Sequence, residues 1–297
     1  MLKKKNIRNL SIEELSLFFK KHGIAKFRSK QVYEWLWKKK ACNFDEMTSL
    51  SISDRELLKN YFSINALTIH KSEKSSDGTI KYSLKLFDNK LVEGVLIPSR
   101  KRLTACVSSQ AGCSLSCTFC ATGTLKLERN LDFGEIYDQV FILNEEAKQN
   151  FGRPLSNIVY MGMGEPLLNY DNLIKSINLI SSKDGLSMSP KRITVSTAGI
   201  AKMIKKLADD EVKFNLALSL HTADDKKRDE IMPINQSINI AKLEESIKYF
   251  YERTGTRVTY EYILFNGIND SIEDASKLLK LCKKTPSKVN LIEYNTV

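Results

Sequence analysis

Three cysteines fall within eight residues of the chain, in Cys113-Ser-Leu-Ser-Cys117-Thr-Phe-Cys120, and Cys106 lies just upstream. Thiolates this close together in one loop can all reach a single soft metal centre. Three ligands with no fourth nearby indicate a centre with one open coordination position, as in catalytic metal sites. The alternatives are a structural zinc site with a distant fourth ligand, and thiols that are reactive or form disulfides. Zinc fingers usually bring their ligands in two separated pairs, and this sequence has no second pair.

The composition predicts one large domain with a smaller attachment. The chain has 297 residues, 42% of them apolar, and can therefore bury a substantial core. No apolar run approaches the ~20 residues needed to cross a bilayer, and polar residues rather than an apolar signal core follow the N-terminus. We therefore expect a cytoplasmic protein with no membrane contact, whose clustered cysteines bind metal in a reducing compartment.

The net charge of +11 is unevenly distributed. Residues 1–60 hold 14 Lys and Arg against 7 Asp and Glu, so +7 of the excess lies in the first fifth of the chain. A basic terminal region is a plausible electrostatic footprint for RNA or DNA. Surface lysines that only maintain solubility are about as common, so charge alone leaves nucleic-acid binding open.

Residues 11–62 are expected to form a small helical region. Ser11-Ile-Glu-Glu14 is a capping box, which predicts the start of a helix. A second helix is predicted from about Ser29 to Lys40, with Trp35 and Trp37 among its apolar residues. We interpret these aromatic residues as core or domain-interface packing, with base stacking as the alternative.

The pattern of apolar residues changes to period two from residue 66. Strands are predicted over 66–70, 80–87 and 91–97, joined by turns. In the third of them Glu93 interrupts an apolar run, and a carboxylate there is costly unless it is paired or faces a cavity. From its position alone we expect Glu93 to be an outward-facing strand residue.

After Pro98 strands and helices alternate. Strands are predicted at 103–108, 157–161, 192–196, 213–219, 257–264 and 289–293, and helices near 133–149, 170–182, 199–208, 241–253 and 271–283. This order implies parallel βα units and a sheet buried on both faces. Six strands are too few for a closed eight-stranded barrel, so we expect a partial barrel. The chain then divides into a helical region over 1–65, a connecting region over 66–98 and a core over 99–297.

Unusual residues follow the ends of these predicted strands, where ligands of parallel sheets gather. The cysteine loop follows the first strand, and the glycine-rich Met161–Pro166 follows the second. The other ends carry Ser196–Gly199, Ser219–His221 and Asn295. Backbone amides of a glycine-rich turn can approach a ligand closely, and Glu165 can accept hydrogen bonds from an ammonium group. For His221 a structural hydrogen-bonded role and a site role remain equally open.

Eight segments share a pattern that is more specific than the cysteine triplet alone. They are Cys106-Val-Ser-Ser-Gln-Ala-Gly-Cys113, Cys117-Thr-Phe-Cys120-Ala-Thr-Gly, Arg129-Asn-Leu131, Met161-Gly-Met-Gly-Glu-Pro-Leu-Leu-Asn169, Ile193-Thr-Val-Ser-Thr-Ala-Gly199, Leu216-Ala-Leu-Ser-Leu-His221, Ile231-Met-Pro-Ile234 and Val289-Asn-Leu-Ile292. Together they resemble the radical S-adenosylmethionine (SAM) RNA adenine C2-methyltransferases called RlmN, with the related resistance enzyme Cfr. The resemblance runs from about residue 10 to the last residue, and residues 155–235 favour the RlmN branch.

The resemblance implies an α/β fold, a partial (β/α)6 radical SAM barrel with a helical accessory domain that grips RNA and a β-hairpin linker. It implies a 4Fe–4S cluster on Cys113, Cys117 and Cys120, whose unligated iron holds the amino acid end of SAM. The residues implied to contact SAM are Gly164, Glu165, Ser196, Ser219, Leu220, His221 and Asn295. Glu93 is implied to be the base that takes the C2 proton, which replaces the outward-facing interpretation, and Cys106 to be a resolving thiol.

The chemistry implied by the resemblance fits a physical need. Adenine C2–H is an electron-poor carbon without useful nucleophilicity, so a radical route supplied by the cofactor avoids direct polar attack on SAM. In the family a methylated cysteine carries the new carbon to C2, and a second cysteine releases the product by forming a disulfide with the carrier. The implied partners are 23S rRNA in the peptidyl-transferase region, tRNA beside the anticodon and a reductant such as flavodoxin or ferredoxin. We expect a monomer.

The sequence departs from the family pattern at its end. Family members continue through a last helix to an Ala-Cys-Gly segment with the methyl-carrying cysteine, whereas this sequence ends at Val297. Neither Cys42 nor Cys282 matches the context of that cysteine. We therefore expect a truncated or partial sequence that can cleave SAM without completing methylation. A radical SAM enzyme of other chemistry and a non-catalytic, metal-containing RNA-binding protein are the alternatives.

Overall fold

One nine-stranded sheet organises the computed structural model, which describes residues 4–295. The strands are β1 (Lys5–Asn6), β2 (Phe62–Ser63), β3 (Thr68–Lys74), β4 (Ile80–Lys85), β5 (Leu91–Pro98), β6 (Leu103–Cys106), β7 (Gln110–Ala111), β8 (Arg129–Asn130), β9 (Asn157–Tyr160), β10 (Ile193–Thr197), β11 (Asn215–Ser219), β12 (Val258–Leu264) and β13 (Ser287–Glu293). Their order in the large sheet is β13-β12-β11-β10-β9-β6-β5-β4-β3, while β1 pairs with β2 and β7 with β8.

The helices lie between these strands. They are α1 (Ile12–Lys21), α2 (Phe27–Trp37), α3 (Ile52–Tyr61), α4 (Phe133–Phe151), α5 (Tyr170–Ser181), α6 (Ala201–Asp209), α7 (Asp225–Ile231), α8 (Ile240–Thr254) and α9 (Ile272–Lys284). The side chains of Ser11 and Ser271 cap α1 and α9, and the Glu135 carboxylate accepts from the Asp132 amide at the start of α4. The sequence predicts the capping box at Ser11. Within the described residues, none of these helices has the length and hydrophobicity to span a membrane.

Six of the nine strands are parallel and form the partial barrel. Strands β6, β9, β10, β11, β12 and β13 follow one another across the sheet in chain order. Their carboxyl ends therefore lie along one edge, where the loops that carry the predicted site residues begin. This confirms the predicted α/β class and the open, six-stranded barrel.

The three strands of the connecting region continue the same sheet. β5 pairs antiparallel with β6, and β4 and β3 extend the sheet outward from it. The expected strand over 66–70 is misplaced, since β3 covers Thr68–Lys74. All seven residues of β3 are exposed at the sheet edge, so no apolar alternation marks where this strand starts or stops.

The helical region packs on the core through a buried ion pair. Arg8 and Asp138 form a salt bridge in which both side chains are fully buried. The Trp37 ring lies against Tyr137 at 5.6 Å between ring centroids, and the Tyr137 hydroxyl donates to the Trp37 carbonyl. The interpretation of Trp37 as interface packing is therefore confirmed. This contact holds the N-terminal helices against α4, which flanks the first strands of the barrel.

Candidate active site

A cavity of about 250 Å³ lies at the carboxyl ends of the parallel strands. Its walls come from the cysteine loop after β6, the glycine-rich loop after β9 and the ends of β10, β11 and β12. The predicted site residues that line it are Cys113, Cys117, Cys120, Gly164, Glu165, Ser196, Ser219 and His221. Loops that are far apart in sequence thus bring thiols, a carboxylate, hydroxyls and an imidazole around one space.

The cysteine loop is held in place by its own backbone and by α7. The Cys120 amide donates to the Cys117 carbonyl at 3.2 Å, and Gly123 packs so closely that an added Cβ would lie 2.5 Å from that carbonyl oxygen. The Thr118 amide donates to the Ile231 carbonyl at 3.1 Å. These contacts fix a loop that has almost no regular secondary structure, so its three thiols face the cavity.

The donor set fits an iron–sulfur cluster. Cys113, Cys117 and Cys120 are free thiols on the cavity wall, and thiolates are the ligands that such clusters take. Burial raises the pKa of Cys113 and raises that of Cys117 to about 12, so binding of iron would displace their protons. In the described residues no three His, Cys, Asp or Glu side chains converge tightly enough to hold a single metal ion. An iron–sulfur cluster would be held by one thiolate per iron, and the three cysteines of this loop are thiol donors of that kind.

Glu165 is a buried carboxylate held by backbone amides. One of its oxygens accepts from the Ala198 amide at 2.7 Å and the other from the Leu167 amide at 3.0 Å. Burial nevertheless raises the pKa of Glu165 to about 7. An ammonium group beside this carboxylate would offset the cost of burial and favour its ionised form.

Gly164 allows the loop before Glu165 to approach β7. Its φ is +94°, and an added Cβ would lie 2.4 Å from Cβ of Gln110. Gln110 is buried, accepts from the Glu165 amide at 2.8 Å and donates to Asn130 at 2.7 Å. A glycine is therefore required here both by conformation and by space.

The ends of β10 and β11 supply the opposite wall. The hydroxyls of Ser196 and Ser219 lie 3.4 Å apart and both line the cavity. His221 is buried with a φ of +58°, and its Nδ1 accepts from the Ile263 amide at 3.2 Å. Burial lowers the pKa of His221 to about 3, so its imidazole is neutral at physiological pH. His221 is therefore hydrogen-bonded within the fold and also lines the cavity, and its contact with SAM stays a prediction.

Two of the residues implied to contact SAM lie outside the cavity lining. Leu220 is fully buried, and its carbonyl accepts from a side chain of α7. Asn295 is exposed at the end of the described chain, beyond β13. Their assignments stay predictions.

Glu93 and Cys106 lie next to each other on neighbouring strands. Cys106 is paired with Val95 of β5, so Glu93, two residues before Val95, points to the same face of the sheet. Its side chain is 46% exposed and forms a salt bridge to Lys81 at 2.6 Å, which agrees with the outward-facing interpretation. Burial raises the pKa of Cys106 to about 12 and is opposed by the backbone of Met161, a residue of the cavity wall.

Sequence reasoning missed three polar residues around the cavity. Glu261 of β12 is buried, lines the cavity and accepts from Asn290 at 2.7 Å. Gln110 orders the glycine-rich loop, and Arg228 of α7 is fully buried behind the cysteine loop. The only sequence signal for Arg228 was its place three residues before the Ile231-Met-Pro-Ile234 segment of the family pattern.

Comparisons with known proteins agree with this fold and identify a radical SAM protein. The family model of the radical SAM superfamily matches residues 107–279, and that of the ribosomal RNA large subunit methyltransferase N-terminal domain matches residues 5–64. A crystal structure of a radical SAM methyltransferase from Sphaerobacter thermophilus superposes with a TM-score of 0.90 at 36% identity, covering 98% of this chain and 85% of that chain.

Two similar proteins identify the family within the radical SAM superfamily. A "probable dual-specificity RNA methyltransferase RlmN" of Cytophaga hutchinsonii is 56% identical over 296 residues, which are 100% of this chain and 81% of the relative. A "dual-specificity RNA methyltransferase RlmN 2" of Myxococcus xanthus is 44% identical over 295 residues, covering 98% of this chain and 78% of the relative. The chain belongs to the RlmN family of radical SAM RNA methyltransferases.

Proposed function

We propose that this protein methylates C2 of adenine in RNA, in the peptidyl-transferase region of 23S rRNA and in tRNA beside the anticodon. The observation that carries the proposal is that three thiols and the Glu165 carboxylate open onto one cavity. The names of the relatives support the RNA substrates, since they are dual-specificity RNA methyltransferases. Work on ribosomal RNA and tRNA implies a cytoplasmic enzyme, and we expect it to act as a monomer with a flavodoxin or ferredoxin as reductant.

The cavity residues would hold the cofactors. Cys113, Cys117 and Cys120 would bind a 4Fe–4S cluster, which together with SAM supplies a carbon-centred radical when bound. Glu165 would pair with the SAM ammonium, which favours its ionised form. The remaining contacts to SAM would come from Gly164, Ser196, Ser219, Leu220, His221 and Asn295.

Glu93 and Cys106 would act on the RNA side of the cavity. Glu93 would take the proton from C2 of the methylated adenine. Because its side chain on β5 is half-exposed, an adenine that approaches from solvent could reach the carboxylate. Cys106 would form a disulfide with the methyl-carrying cysteine and so free the product. Their adjacency on β5 and β6 supports this pair of roles, because both must reach the same adduct.

The helical region offers a surface for folded RNA. A groove between α1 and α2 is lined by Lys20, Lys26 and Lys30 beside Phe27. The Phe27 side chain is 56% exposed, and the Arg28 guanidinium lies 4.9 Å from its ring centroid, so a cation and an aromatic ring stand together where RNA would bind. Lys26→Glu and Lys30→Glu should weaken RNA binding and reduce its salt dependence, whereas Lys248→Glu on α8 serves as a charge-matched control with little effect.

Anaerobic reconstitution tests the cofactor assignment. The wild-type chain and Cys42→Ala, a control at an exposed cysteine, should bind about four irons and four sulfides and yield deoxyadenosine from SAM after reduction. Cys117→Ala should lose both properties with its fold, measured by circular dichroism, intact. A chain that binds zinc in place of iron would favour the non-catalytic RNA-binding alternative.

Methyl transfer is measured separately. The assay uses a chimera in which the Cytophaga hutchinsonii relative, of which this chain covers 81%, supplies the residues outside the match. Label from methyl-SAM should appear at adenine C2 of 23S rRNA and tRNA transcripts. Deoxyadenosine without labelled RNA would favour a radical SAM enzyme of other chemistry.

A further inference from the structure

Arg228 is a buried cation without a carboxylate partner of its own. It is 0% exposed, although charges inside proteins are usually paired. Its guanidinium donates at 2.8 to 3.2 Å to four neutral acceptors, the carbonyl oxygens of Ala198, Ser219 and Leu220 and Oδ1 of Asn235. Among the salt bridges of residues 4–295, those with arginine involve other positions. The positive charge is therefore not neutralised within its own hydrogen-bond shell.

The nearest carboxylates lie on the solvent side of Asn235. Nδ2 of Asn235 donates to Asp225 at 3.0 Å and to Asp229 at 2.7 Å, so an amide group stands between them and the guanidinium. Asp225 is exposed and Asp229 is half-buried. Water and salt screen such charges, so they offset Arg228 only in part.

The other side of Arg228 faces the cysteine loop. Cys117 packs against a buried cluster that contains Ala198 and Ile231, and the Thr118 amide and hydroxyl both donate to the Ile231 carbonyl, at 3.1 and 3.4 Å. The Arg228 guanidinium donates to the carbonyl of Ala198, a member of that buried cluster, at 2.8 Å. The guanidinium is fully buried and lies on the helix whose last residue, Ile231, accepts the hydrogen bonds of the cysteine loop.

We propose that Arg228 is the buried countercharge of the iron–sulfur centre and raises its reduction potential. This inference rests on the proposed cluster. One electron from a low-potential donor would add one negative charge to the cluster and its three thiolates, without adding a proton. A fixed cation in a low-dielectric interior stabilises that added charge more than the oxidised state. Arg228 is a positioning and tuning residue, because it acts through Cys117.

If Arg228 only held neighbouring segments together, its hydrogen-bond donors would matter and its charge would not. Three variants of the reconstituted protein separate the two roles. Arg228→Gln removes the charge and keeps some donors, and Arg228→Lys keeps the charge and loses the planar fork. Asp225→Asn changes one charge on the solvent side of the same helix and serves as the control. The readouts are iron content, circular dichroism and a potentiometric titration followed by electron paramagnetic resonance.

At a fixed solution potential, Arg228→Gln should lower the ratio of reduced to oxidised cluster about tenfold or more, the order expected for one charge acting across the protein interior. Arg228→Lys should stay close to the wild type, and Asp225→Asn should change the ratio much less. If Arg228→Gln folds but loses iron, Arg228→Lys must retain iron for the proposal to hold. Unchanged potential in Arg228→Gln, or equal shifts in the Gln and Lys variants, overturns it. Wild-type protein without a cluster would instead refute the proposed function.

Discussion

The close approach of Gly164 to Gln110 makes a quantitative prediction. Gly164→Ala places a Cβ 2.4 Å from Cβ of Gln110 and 2.7 Å from its Oε1, in a residue whose φ is +94°. Gln110 cannot retreat freely, because it is buried and bonded both to the Glu165 amide and to Asn130. The substitution should therefore displace the loop that presents Glu165 to the cavity.

The expected loss in the free energy of unfolding of Gly164→Ala has two parts. A positive φ costs a residue with a Cβ about 1–2 kcal/mol, and forcing an extra carbon into a packed site costs about 1–3 kcal/mol more. Gly152→Ala provides the matched control, because Gly152 ends α4 with a φ of +66° and nothing lies within 4 Å of an added Cβ. Gly152→Ala should pay only the first part, so the difference between the two variants isolates the steric part.

Urea unfolding and SAM titration measure the two consequences. The free energy of unfolding should fall by about 2–5 kcal/mol in Gly164→Ala and by about 1–2 kcal/mol in Gly152→Ala. The Kd for SAM should rise about tenfold in Gly164→Ala, equivalent to the loss of roughly one hydrogen bond, and stay unchanged in Gly152→Ala. Equal unfolding free energies and equal affinities in the two variants would refute the role assigned to this approach.

Three further predictions follow from burial. Burial raises the pKa of Glu165 to about 7, and this carboxyl group must be ionised to pair with an ammonium group. The affinity for SAM should therefore rise between pH 6 and pH 8, and Glu165→Gln should abolish that pH dependence. A wild-type affinity that does not change with pH would contradict the pairing. Burial raises the pKa of the half-buried Cys106 thiol to about 12, so at pH 8 it should react with iodoacetamide far more slowly than exposed Cys42, as mass spectrometry can measure. Comparable rates would contradict the raised pKa. Asp138→Ala leaves buried Arg8 without its partner and should lower the free energy of unfolding by about 3–5 kcal/mol. Glu73→Ala, which breaks the exposed pair with Lys71, should lower it by less than about 1 kcal/mol. Similar losses in the two variants would show that burial of the Arg8–Asp138 pair is unimportant.

Much of the fold follows from local sequence patterns. The core strands and long helices have apolar periodicity and caps, so their order and the parallel sheet could be predicted. Helix α7 was missed because Asp225-Lys-Lys-Arg-Asp-Glu-Ile231 is short and charged, and its helical form depends on packing against the strand ends. The continuity of β5 with β6 was also missed, because sequence patterns mark strands without saying which strands pair.

In the candidate site, too, the sequence revealed residues that lie in one short pattern and missed residues that depend on distant contacts. Cysteine spacing and small residues at strand ends led to the cavity residues, since each signal lies in one short segment. Arg228, Gln110 and Glu261 escaped detection because their importance arises from contacts with distant segments. For Glu93 the structure adds no evidence of a chemical role. Its half-exposed position agrees with an ordinary strand residue, and only the resemblance gives it the role of a base.

Cys113, Cys117 and Cys120 are proposed to hold an iron–sulfur cluster with one iron free for SAM. Electron paramagnetic resonance of the anaerobically reconstituted and reduced protein tests it directly. We predict a reduced-cluster signal whose g-values and line shape change when SAM is added, as expected for a ligand that binds the cluster itself. A signal that SAM leaves unaltered, or a protein that contains zinc and no iron, would contradict the claim.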